Sequence, residues 1–385
     1  MGKVQELNLK KRKRPRIIKA GSIDFIMLAI VLIILFCGVV MVYSSSAYYA
    51  LYENNSTEYF LKKEFIWTIV GLCAMGVTMS VDYHKYKKLT GLILIGSLVL
   101  LIAVFFFGVE INGATRWLRI GGLSLQPSEI AKFAVVLYLA KALDTKINKI
   151  AKFKTFFTYL VVCGVFAGLV LAQKNLSVTA IIMIASFIIL FIGGAKILHM
   201  IPIGISGLVL GLFLISTQSY RLARLTSFLN PWADPTGDSY QLIQSLYAIA
   251  SGGLFGVGLG DSRQKALFMP EPHNDFIFAI ISEEFGLVGG IFVIGLFIFL
   301  LLRGTYIASK AKDYYGYLLT MGIITVMGVQ AIINIAVVTG SMPVTGVPLP
   351  LISYGGTSLV INLAALGIIL NVSRHKKEKK EERLK

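Results

Sequence analysis

Residues 269–302 read MPEPHNDFIFAIISEEFGLVGGIFVIGLFIFLLL. The stretch opens with Glu271, His273 and Asp275 and continues into a long apolar run that contains two more carboxylates. Such a run is long enough to cross a bilayer about 30 Å thick as a helix. Ionisable side chains are costly within a membrane helix, and they usually face a cavity or a partner. The stretch therefore predicts a membrane helix with a chemical site at one end.

The composition of the whole chain indicates the same class of protein. Of its 385 residues, 56% are hydrophobic and only 15% are charged. A soluble protein of this size could not cover so much apolar surface. The apolar runs are continuous and do not alternate, which favours membrane helices over a closed barrel. We predict an all-α, polytopic membrane protein.

The apolar runs predict ten transmembrane helices, at approximately 22–43, 62–80, 90–108, 127–143, 156–172, 177–193, 197–216, 276–301, 315–338 and 352–372. If the N-terminus is cytoplasmic, every loop on that side is basic. These loops hold Lys85, Lys87, Lys88, Lys141, Lys146, Lys149, Lys152, Lys154, Lys196, Arg303, Lys310 and Lys312. This bias follows the positive-inside rule, and an even number of spans returns the C-terminus to the cytoplasm.

The formal net charge of +17 does not by itself indicate a nucleic-acid-binding protein. Its densest basic clusters, at 10–14 and 374–377, lie beside the first and last spans. Basic residues there retain loops in the cytoplasm and attract anionic headgroups. We predict a basic cytoplasmic tail at 1–21, a single membrane domain at 22–373 and a charged cytoplasmic tail at 374–385. The three cysteines lie in apolar runs and indicate no disulfide framework.

A long extracytoplasmic loop is predicted at 217–275, between the seventh and eighth spans. Its length exceeds that of ordinary connections, which indicates a functional segment. Residues Tyr240 to Ser251 have a helical pattern with Asp238 or Ser239 as the N-cap. The sequence GGLFGVGLG follows, and it is too rich in glycine for a stable helix.

The predicted outer loops carry cations that the positive-inside bias does not explain: Arg116, Arg119, Arg221, Arg224, Arg263 and Lys265. Two interpretations remain open. The cations could contact lipid phosphates, or they could recognise a phosphorylated ligand, because guanidinium groups bind phosphate with two parallel hydrogen bonds.

The fourth span begins QPSEIAKF, with Pro127 suited to the first turn of a helix. Glu129 and Lys132 lie three residues apart on one face of that helix. They could be a neutralising pair, or they could line a functional cavity in which Lys132 contacts a ligand.

Asp275 directly precedes the eighth span, where aspartate is a preferred N-cap. It could equally act as an exposed base, and the two roles are compatible. On a continuous helix Glu283 lies about 12 Å deeper than Asp275, where it can support a cavity. Glu284 points away from Asp275, which favours a role in packing or with a buried partner.

Several absent motifs restrict the chemistry. The chain has no GxxxxGK[ST] phosphate loop and no HExxH or CxxC metal motif. A membrane enzyme without a nucleotide site needs a substrate that is already activated, such as a lipid-linked phosphate. No cofactor is predicted, and the sequence leaves open whether Mg²⁺ or Mn²⁺ assists.

Four long motifs carry a family resemblance: RWLRIGGLSLQPSEIAKF, FLNPWADPTGDSYQLIQSLYAIASGGLFGVGLG, MPEPHNDFIFAIISEEFGLVGG and GVPLPLISYGGTSLVINLAALGII. They resemble the SEDS family (shape, elongation, division and sporulation) of bacterial peptidoglycan glycosyltransferases, from about Asp24 to Val372. The segment ARLTSFLNPWADPTGDSYQLIQSL and the VYSSSA motif resemble the division and sporulation branch, which is FtsW-like and SpoVE-like.

This resemblance implies ten membrane helices and polymerisation of lipid II outside the cytoplasmic membrane. The family's essential acidic residue, in a P-E-x-H-x-D-F motif, matches Asp275. Asn274 stands where many members have threonine. The family's Arg-Trp and Gln-Pro-Ser-Glu segments match Arg116, Trp117, Gln126, Pro127, Ser128, Glu129 and Lys132. The resemblance also implies a class B penicillin-binding protein as transpeptidase partner, beside other division or sporulation membrane proteins.

The chemistry implied is attack by the 4-hydroxyl of lipid II on a glycan held through undecaprenyl pyrophosphate. We expect Asp275 to be the general base. We expect Arg116, Lys132 and Lys265 to offset the phosphate charge. The other expected substrate-binding residues are Trp117, Arg119, Gln126, Ser128, Glu129, Glu271, His273 and Glu283.

Two other functions remain open. The first is a lipid II flippase, in which Gln330 and Asn334 could line a path, although hydrogen bonds between helices explain such residues more readily. A transporter would also be expected to place binding groups near mid-membrane and to contain broken helices. The second is a divisome scaffold, which can coexist with catalysis.

Overall fold

The computed structural model describes residues 21–111, 113–121, 123–146, 149–217 and 219–375. The predicted terminal tails lie almost entirely outside these residues. Within them the chain forms twelve α-helices and three short strands: α1 Phe25–Asn54, α2 Tyr59–Ser80, α3 Tyr83–Phe107, β1 Gly108–Ile111, β2 Ala114–Ile120, β3 Leu123–Leu125, α4 Pro127–Thr145, α5 Phe153–Ala172, α6 Leu176–Ile192, α7 Ile197–Ser216, α8 Ser219–Leu229, α9 Tyr240–Gly252, α10 Ile277–Ser309, α11 Tyr314–Val338 and α12 Gly356–Arg374.

Each of the ten predicted spans coincides with one of these helices. Seven helices in the described residues are long and apolar enough to cross a membrane: α1, α3, α5, α7, α10, α11 and α12. The other three differ in character. Helix α6 is apolar but has only 17 residues, and helices α2 and α4 carry charged residues within them.

The prediction of an all-α fold was wrong between α3 and α4. There the chain forms an antiparallel sheet in the order β1-β2-β3, with Gly108 opposite Leu118 and Leu118 opposite Leu125. The segment ATRWLRI contains aromatic and β-branched residues, which suit strands.

Helices α11 and α12 form the centre of the bundle. Helix α11 packs against α4, α6, α10 and α12, and α12 lies along α2. Helix α7 is peripheral, and none of its residues is buried. The end of the bundle at which α10 begins is therefore held mainly by α4, α10, α11 and α12.

Polar side chains tie the helices together at the end of the bundle where α1 begins and α12 ends. Arg303 binds the carboxylate of Asp24 through two hydrogen bonds of 2.9 and 2.7 Å. The imidazole of His84 lies between Asp82 and Asp313, at 2.7 and 2.6 Å from their carboxylate oxygens. The first contact joins the start of α1 to the far part of α10, and the second joins the starts of α3 and α11.

Helix α10 is broken at Gly286, whose φ of 65° and ψ of −162° are not helical. The glycine-rich segment after α9 fills the break and replaces the lost helical hydrogen bonds. The four backbone bonds that do so are Val257 to Glu283 (3.0 Å), Gly258 to Glu284 (3.0 Å), Leu287 to Gly253 (2.9 Å) and Val288 to Leu254 (3.2 Å), each from N–H to carbonyl oxygen.

This insertion changes the description of the segment at 217–275. Helix α9 matches the predicted helix, with Ser239 at the N-cap position but without a side-chain capping bond. The extracytoplasmic location of 217–275 stays a prediction, but the segment is not a simple surface loop. Residues 253–258 pack beside α10 at Gly286, about 14 Å along the helix from Ile277.

Replacing Gly286 with alanine should destabilise the protein. The new methyl group would lie 2.5 Å from the carbonyl oxygen of Leu254, and alanine is strained at a φ of 65°. We expect a loss of about 1–3 kcal/mol or more in the free energy of unfolding. The matched control is Gly295→Ala in the same helix, where a Cβ meets open space.

Thermal unfolding of the two detergent-purified variants, followed by size-exclusion chromatography, measures this difference. Gly295→Ala should leave the transition unchanged or raise it slightly, because alanine favours helix over glycine. Equal stability of the two variants would contradict the described break.

A candidate active site at Asp275

Asp275 lies in a tight turn directly before α10. The N–H of Asn274 donates to the carbonyl oxygen of Glu271 at 3.0 Å, and the Asn274 amide donates to the Glu271 carboxylate at 2.7 Å. Helix α10 then begins one residue later than predicted, with Phe276 at the N-cap position and no side-chain cap. The prediction that Asp275 caps the helix was therefore wrong, and its carboxylate is available for other contacts.

The Asp275 carboxylate is partly exposed and lies against the turn at Gly346. A Cβ on Gly346 would be 3.2 Å from Asp275 Oδ2, and the φ of Gly346 is +67°. Burial raises the pKa of Asp275 to about 6, and the negative charge of Glu271 adds to this effect. The positive charges of Arg224 and Arg116 act in the opposite direction.

Arg224 belongs to the short helix α8. Its Nη1 donates to the carbonyl oxygen of Val344 at 3.0 Å, two residues before Gly346. The guanidinium is half-buried, and it acts on the charge of Asp275. A residue 51 positions before Asp275 in the chain thus lies beside it in the fold.

Arg116 approaches from strand β2. Its guanidinium donates to the carbonyl oxygens of Gln173 and Lys174, at 3.4 and 2.5 Å. The turn that carries these residues is joined to the Gly346 turn, because Ser177 Oγ donates to the carbonyl oxygen of Thr345 at 2.6 Å. The Asp275 carboxylate therefore lies against the loop after α11 and interacts with positive charges from α8 and β2.

The predicted pair on α4 is a buried ion pair. Lys132 Nζ lies 2.9 Å from Glu129 and 2.7 Å from Gln330 Oε1, and both charged side chains are almost fully buried. Ser358 Oγ donates to Glu129 at 2.8 Å. These contacts join α4, α11 and α12. A buried charge of this kind requires its partner, because an unpaired one is costly.

Lys265 also lies in a buried ion pair. Its Nζ is 2.6 Å from Glu284 and 3.0 Å from Ser44 Oγ, and Ser44 donates to the same carboxylate at 2.6 Å. The prediction that Glu284 serves a buried partner is confirmed. This contact fixes the long segment to α1 and to the part of α10 next to its break.

Glu283 binds the turn at 262–264. It accepts hydrogen bonds from the backbone N–H of Arg263 at 3.0 Å and of Gln264 at 3.4 Å, and from the hydroxyls of Ser251 and Ser262. Its side chain is buried. Glu283 therefore holds the glycine-rich segment in place from the α10 side.

His273 is packed among aromatic rings. Its ring centroid lies 4.2 Å from that of Phe60, 5.5 Å from Tyr354 and 5.6 Å from Tyr49. Burial lowers the pKa of His273 to about 4, so the imidazole is neutral at pH 7. Its backbone oxygen accepts from the N–H of Tyr354 at 2.9 Å. These contacts hold the turn that carries Asp275.

The remaining predicted site residues lie on neighbouring elements. Trp117 and Arg119 are on β2, and Gln126 is at the N-cap position of α4. Ser128 is fully buried, and its hydroxyl has no partner within the described residues. Glu271 is exposed beside Asp275.

The structure thus brings Asp275, Glu271, His273 and Arg116 together. It places Lys132, Lys265 and Glu283 in buried contacts with other protein groups. A substrate contact by these three side chains stays a prediction, which their burial disfavours.

Sequence reasoning named Arg224 only among six outer-loop cations and Asn334 only as a possible path-lining residue of a flippase, and it did not select Gly346. For Arg224 the available signal was a pair of arginines three apart in an outer segment. For Gly346 and Asn334 no local pattern indicates proximity to Asp275, since the contacts are tertiary.

The residues near Asp275 do not fit a Mg²⁺ or Mn²⁺ site of three protein ligands. Across the described ranges, no three His, Cys, Asp or Glu side chains are grouped so that they could hold a metal ion. Mg²⁺ is often held by only one or two carboxylates together with substrate phosphates, so assistance by Mg²⁺ or Mn²⁺ stays a prediction.

Comparison with known proteins places the chain in a family. Residues 24–378 match FtsW/RodA/SpoVE, a family described as cell cycle proteins. The chain is 42% identical over 361 residues to stage V sporulation protein E of Bacillus subtilis, covering 93% of this chain and 98% of the relative. It is 39% identical over 353 residues to a probable peptidoglycan glycosyltransferase FtsW of Geobacter sp. (strain M18), covering 91% and 96%.

Two solved structures share the fold. One, described as structural coordination of polymerization and crosslinking by a peptidoglycan synthase complex, gives a TM-score of 0.76 at 28% identity, covering 91% of this chain and 98% of that chain. The rod shape determining protein RodA of Thermus thermophilus gives a TM-score of 0.68 at 28% identity, covering 91% and 97%. The chain therefore belongs to the FtsW/RodA/SpoVE family of membrane-embedded cell cycle proteins.

Proposed function

We propose that this multi-pass membrane protein is a peptidoglycan glycosyltransferase, which polymerises lipid II at the outer face of the cytoplasmic membrane during cell division or sporulation. The observation that carries the proposal is Asp275, a partly exposed carboxylate against the Gly346 turn whose charge interacts with the guanidinium groups of Arg116 and Arg224. The relatives named as glycosyltransferase FtsW and sporulation protein E support the reaction and the cell processes.

Asp275 acts as the general base. It accepts the proton of the 4-hydroxyl of the incoming lipid II sugar while that oxygen bonds to the anomeric carbon of the growing glycan. The bond from the anomeric carbon to the pyrophosphate breaks, and the configuration at that carbon is inverted. A carboxylate with a pKa near 6 is ionised at neutral pH and is more basic than an ordinary aspartate.

Arg116 and Arg224 stabilise the departing pyrophosphate. Guanidinium groups pair with phosphate through parallel hydrogen bonds, and both act on the charge at Asp275. Arg224 takes the role first expected of Lys132 and Lys265. The ammonium groups of Lys132 and Lys265 are instead paired with the carboxylates of Glu129 and Glu284.

The topology proposed has ten spans and cytoplasmic termini, with the predicted tails at 1–21 and 374–385 and the membrane domain at 22–373 between them. The loops that are basic then face the cytoplasm. The Asp275 end of α10 faces outward, where the polymerised product is needed. Similarity to a chain of a peptidoglycan synthase complex supports a class B penicillin-binding protein as partner.

A lipid II flippase fits these contacts less well. The break in α10 is a feature that transporters share, but the segment 253–258 fills it with hydrogen bonds. Gln330 and Asn334 donate to the backbone oxygens of Pro348 and Val347, so they hold a loop in place.

Asp275→Asn should nearly abolish polymerisation, because the amide cannot accept the hydroxyl proton. We expect a loss of about 10²–10⁴-fold, the usual contribution of a general base. Purified protein with lipid II, assayed by glycan strands on a gel with and without the transpeptidase, measures it. A folded Asp275→Asn variant with undiminished polymer would refute the proposed base.

The rate of the wild-type enzyme should depend on the ionisation of Asp275. Because a base must be deprotonated, kcat/KM should be constant above the pKa and should fall as pH decreases through about 6. Initial rates across a pH series with stable protein measure this limb. A midpoint near the ordinary aspartate value would mean that burial does not control the carboxylate.

Arg224→Gln should lower kcat by about 10–10³-fold, because the guanidinium stabilises charge that develops on the leaving group. The matched control is Arg263→Gln, which removes an exposed arginine from the same long segment. We expect near-normal polymerisation from the control. Equal rates for the two variants would exclude a specific role for Arg224.

A further inference from the structure

We propose that Asn334 is a positioning residue for the reaction: its carboxamide joins the main chain at Asp275 to the main chain at Val347, and so sets where the Asp275 carboxylate lies. The inference rests on the proposed role of Asp275 as base. It assigns to α11 a part in catalysis that does not involve contact with the substrate.

The hydrogen bonds of Asn334 are specific to a primary amide. Its Nδ2 donates to the carbonyl oxygen of Asp275 at 2.7 Å and to that of Val347 at 2.7 Å. The side chain is almost fully buried. Two acceptors on one nitrogen require an NH₂ group, and an uncharged one avoids placing an ion in the bundle. A hydroxyl has only one proton to donate.

The loop between α11 and α12 needs such donors. Its sequence from Ser341 to Pro350 contains three prolines, which lack an N–H group. Val347 and Leu349 are buried, so nearby carbonyl oxygens cannot bond to bulk water. Gln330, one turn before Asn334, donates to the carbonyl oxygen of Pro348 at 3.0 Å.

The Asn334 amide holds the backbone at two places next to the Asp275 carboxylate. It holds the backbone of Asp275 directly, and it holds Val347, whose neighbour Gly346 lies against the carboxylate. Arg224 is bound to Val344 in the same loop. Movement of this loop would therefore change two distances at once. These are the distance from the Asp275 carboxylate to Gly346 and the distance from the same carboxylate to the Arg224 guanidinium.

The test compares Asn334→Leu with the wild type in lipid II polymerisation by purified protein. Leucine has a similar size but no hydrogen-bond donor. The turn at Asp275 and the loop at Val347 should therefore move apart. We expect kcat to fall about 10–100-fold, as for a displaced catalytic group. We expect KM to change by less than about twofold, because no substrate contact is removed.

The pH profile provides a readout that loss of stability alone would not move. A less covered Asp275 is better hydrated, so the acid limb should shift to lower pH. Glu271, Arg224 and Arg116, which face Asp275, keep their charges in the variant, and a more distant Arg224 would act in the opposite direction. Burial is the largest cause of the raised pKa of Asp275, so its loss sets the direction of the shift.

The matched control is Asn371→Leu. Asn371 is equally buried, accepts from the N–H of Tyr83 at 2.9 Å and donates to the carbonyl oxygen of Met79 at 2.7 Å, at the opposite end of the bundle. This variant should lose stability but keep the wild-type acid limb. The inference would be overturned if the acid limb of the pH profile had the same midpoint in Asn334→Leu and Asn371→Leu. Normal kcat in folded Asn334→Leu would also overturn it.

Asn334→Ser keeps one donor and is the second variant, in case leucine prevents folding. Its kcat, corrected for folded fraction, should lie between those of Asn334→Leu and the wild type, and wild-type kcat would refute the inference. Asp275→Asn assayed in parallel separates the two hypotheses. An active Asp275→Asn refutes the base, whereas an inactive Asp275→Asn beside a fully active Asn334→Leu refutes only the positioning role.

Discussion

In the apolar interior of a membrane protein, a backbone group that leaves a helix must find its hydrogen-bond partner within the protein. Both irregular parts of this chain obey that constraint. The break at Gly286 is filled by residues 253–258, whose peptide groups replace those of a helical turn. The proline-rich loop after α11 receives donors from Gln330 and Asn334. Irregular backbone thus reaches the catalytic end of the bundle without leaving these carbonyl oxygens unpaired.

The buried charged groups also find their partners within the protein. Lys132 with Glu129, and Lys265 with Glu284, form ion pairs that join elements distant in sequence. Each pair also has a neutral hydrogen-bonding neighbour, Gln330 or Ser44, which is the arrangement that makes buried ions tolerable. The basic groups that act on Asp275 come instead from a strand and a short helix. The cations in buried ion pairs and the cations that act on Asp275 are therefore different residues, although the sequence alone presents them as one group.

The sequence could predict much of this because strong local patterns carry it. Continuous apolar runs identified all ten of the long helices, and the PEPHND segment identified Asp275 at the start of α10. The family resemblance was confirmed by the match over residues 24–378. The local patterns were too weak to predict the three-stranded sheet, because its short strands depend on pairing with one another. The capping prediction failed because the turn at Glu271 shifts the helix start by one residue.

By itself the sequence determined the membrane class, the helix positions, the family and the principal acidic residue. Only the tertiary structure decided that Arg224 acts on Asp275, that Lys132 and Lys265 are paired with carboxylates, and that Asn334 binds the backbone at Asp275. The physical reason is the range of the contacts. Periodicity and composition report on neighbours within a helix or strand. Asp275 and Asn334 are 59 positions apart, and they meet only when α10 and α11 pack together.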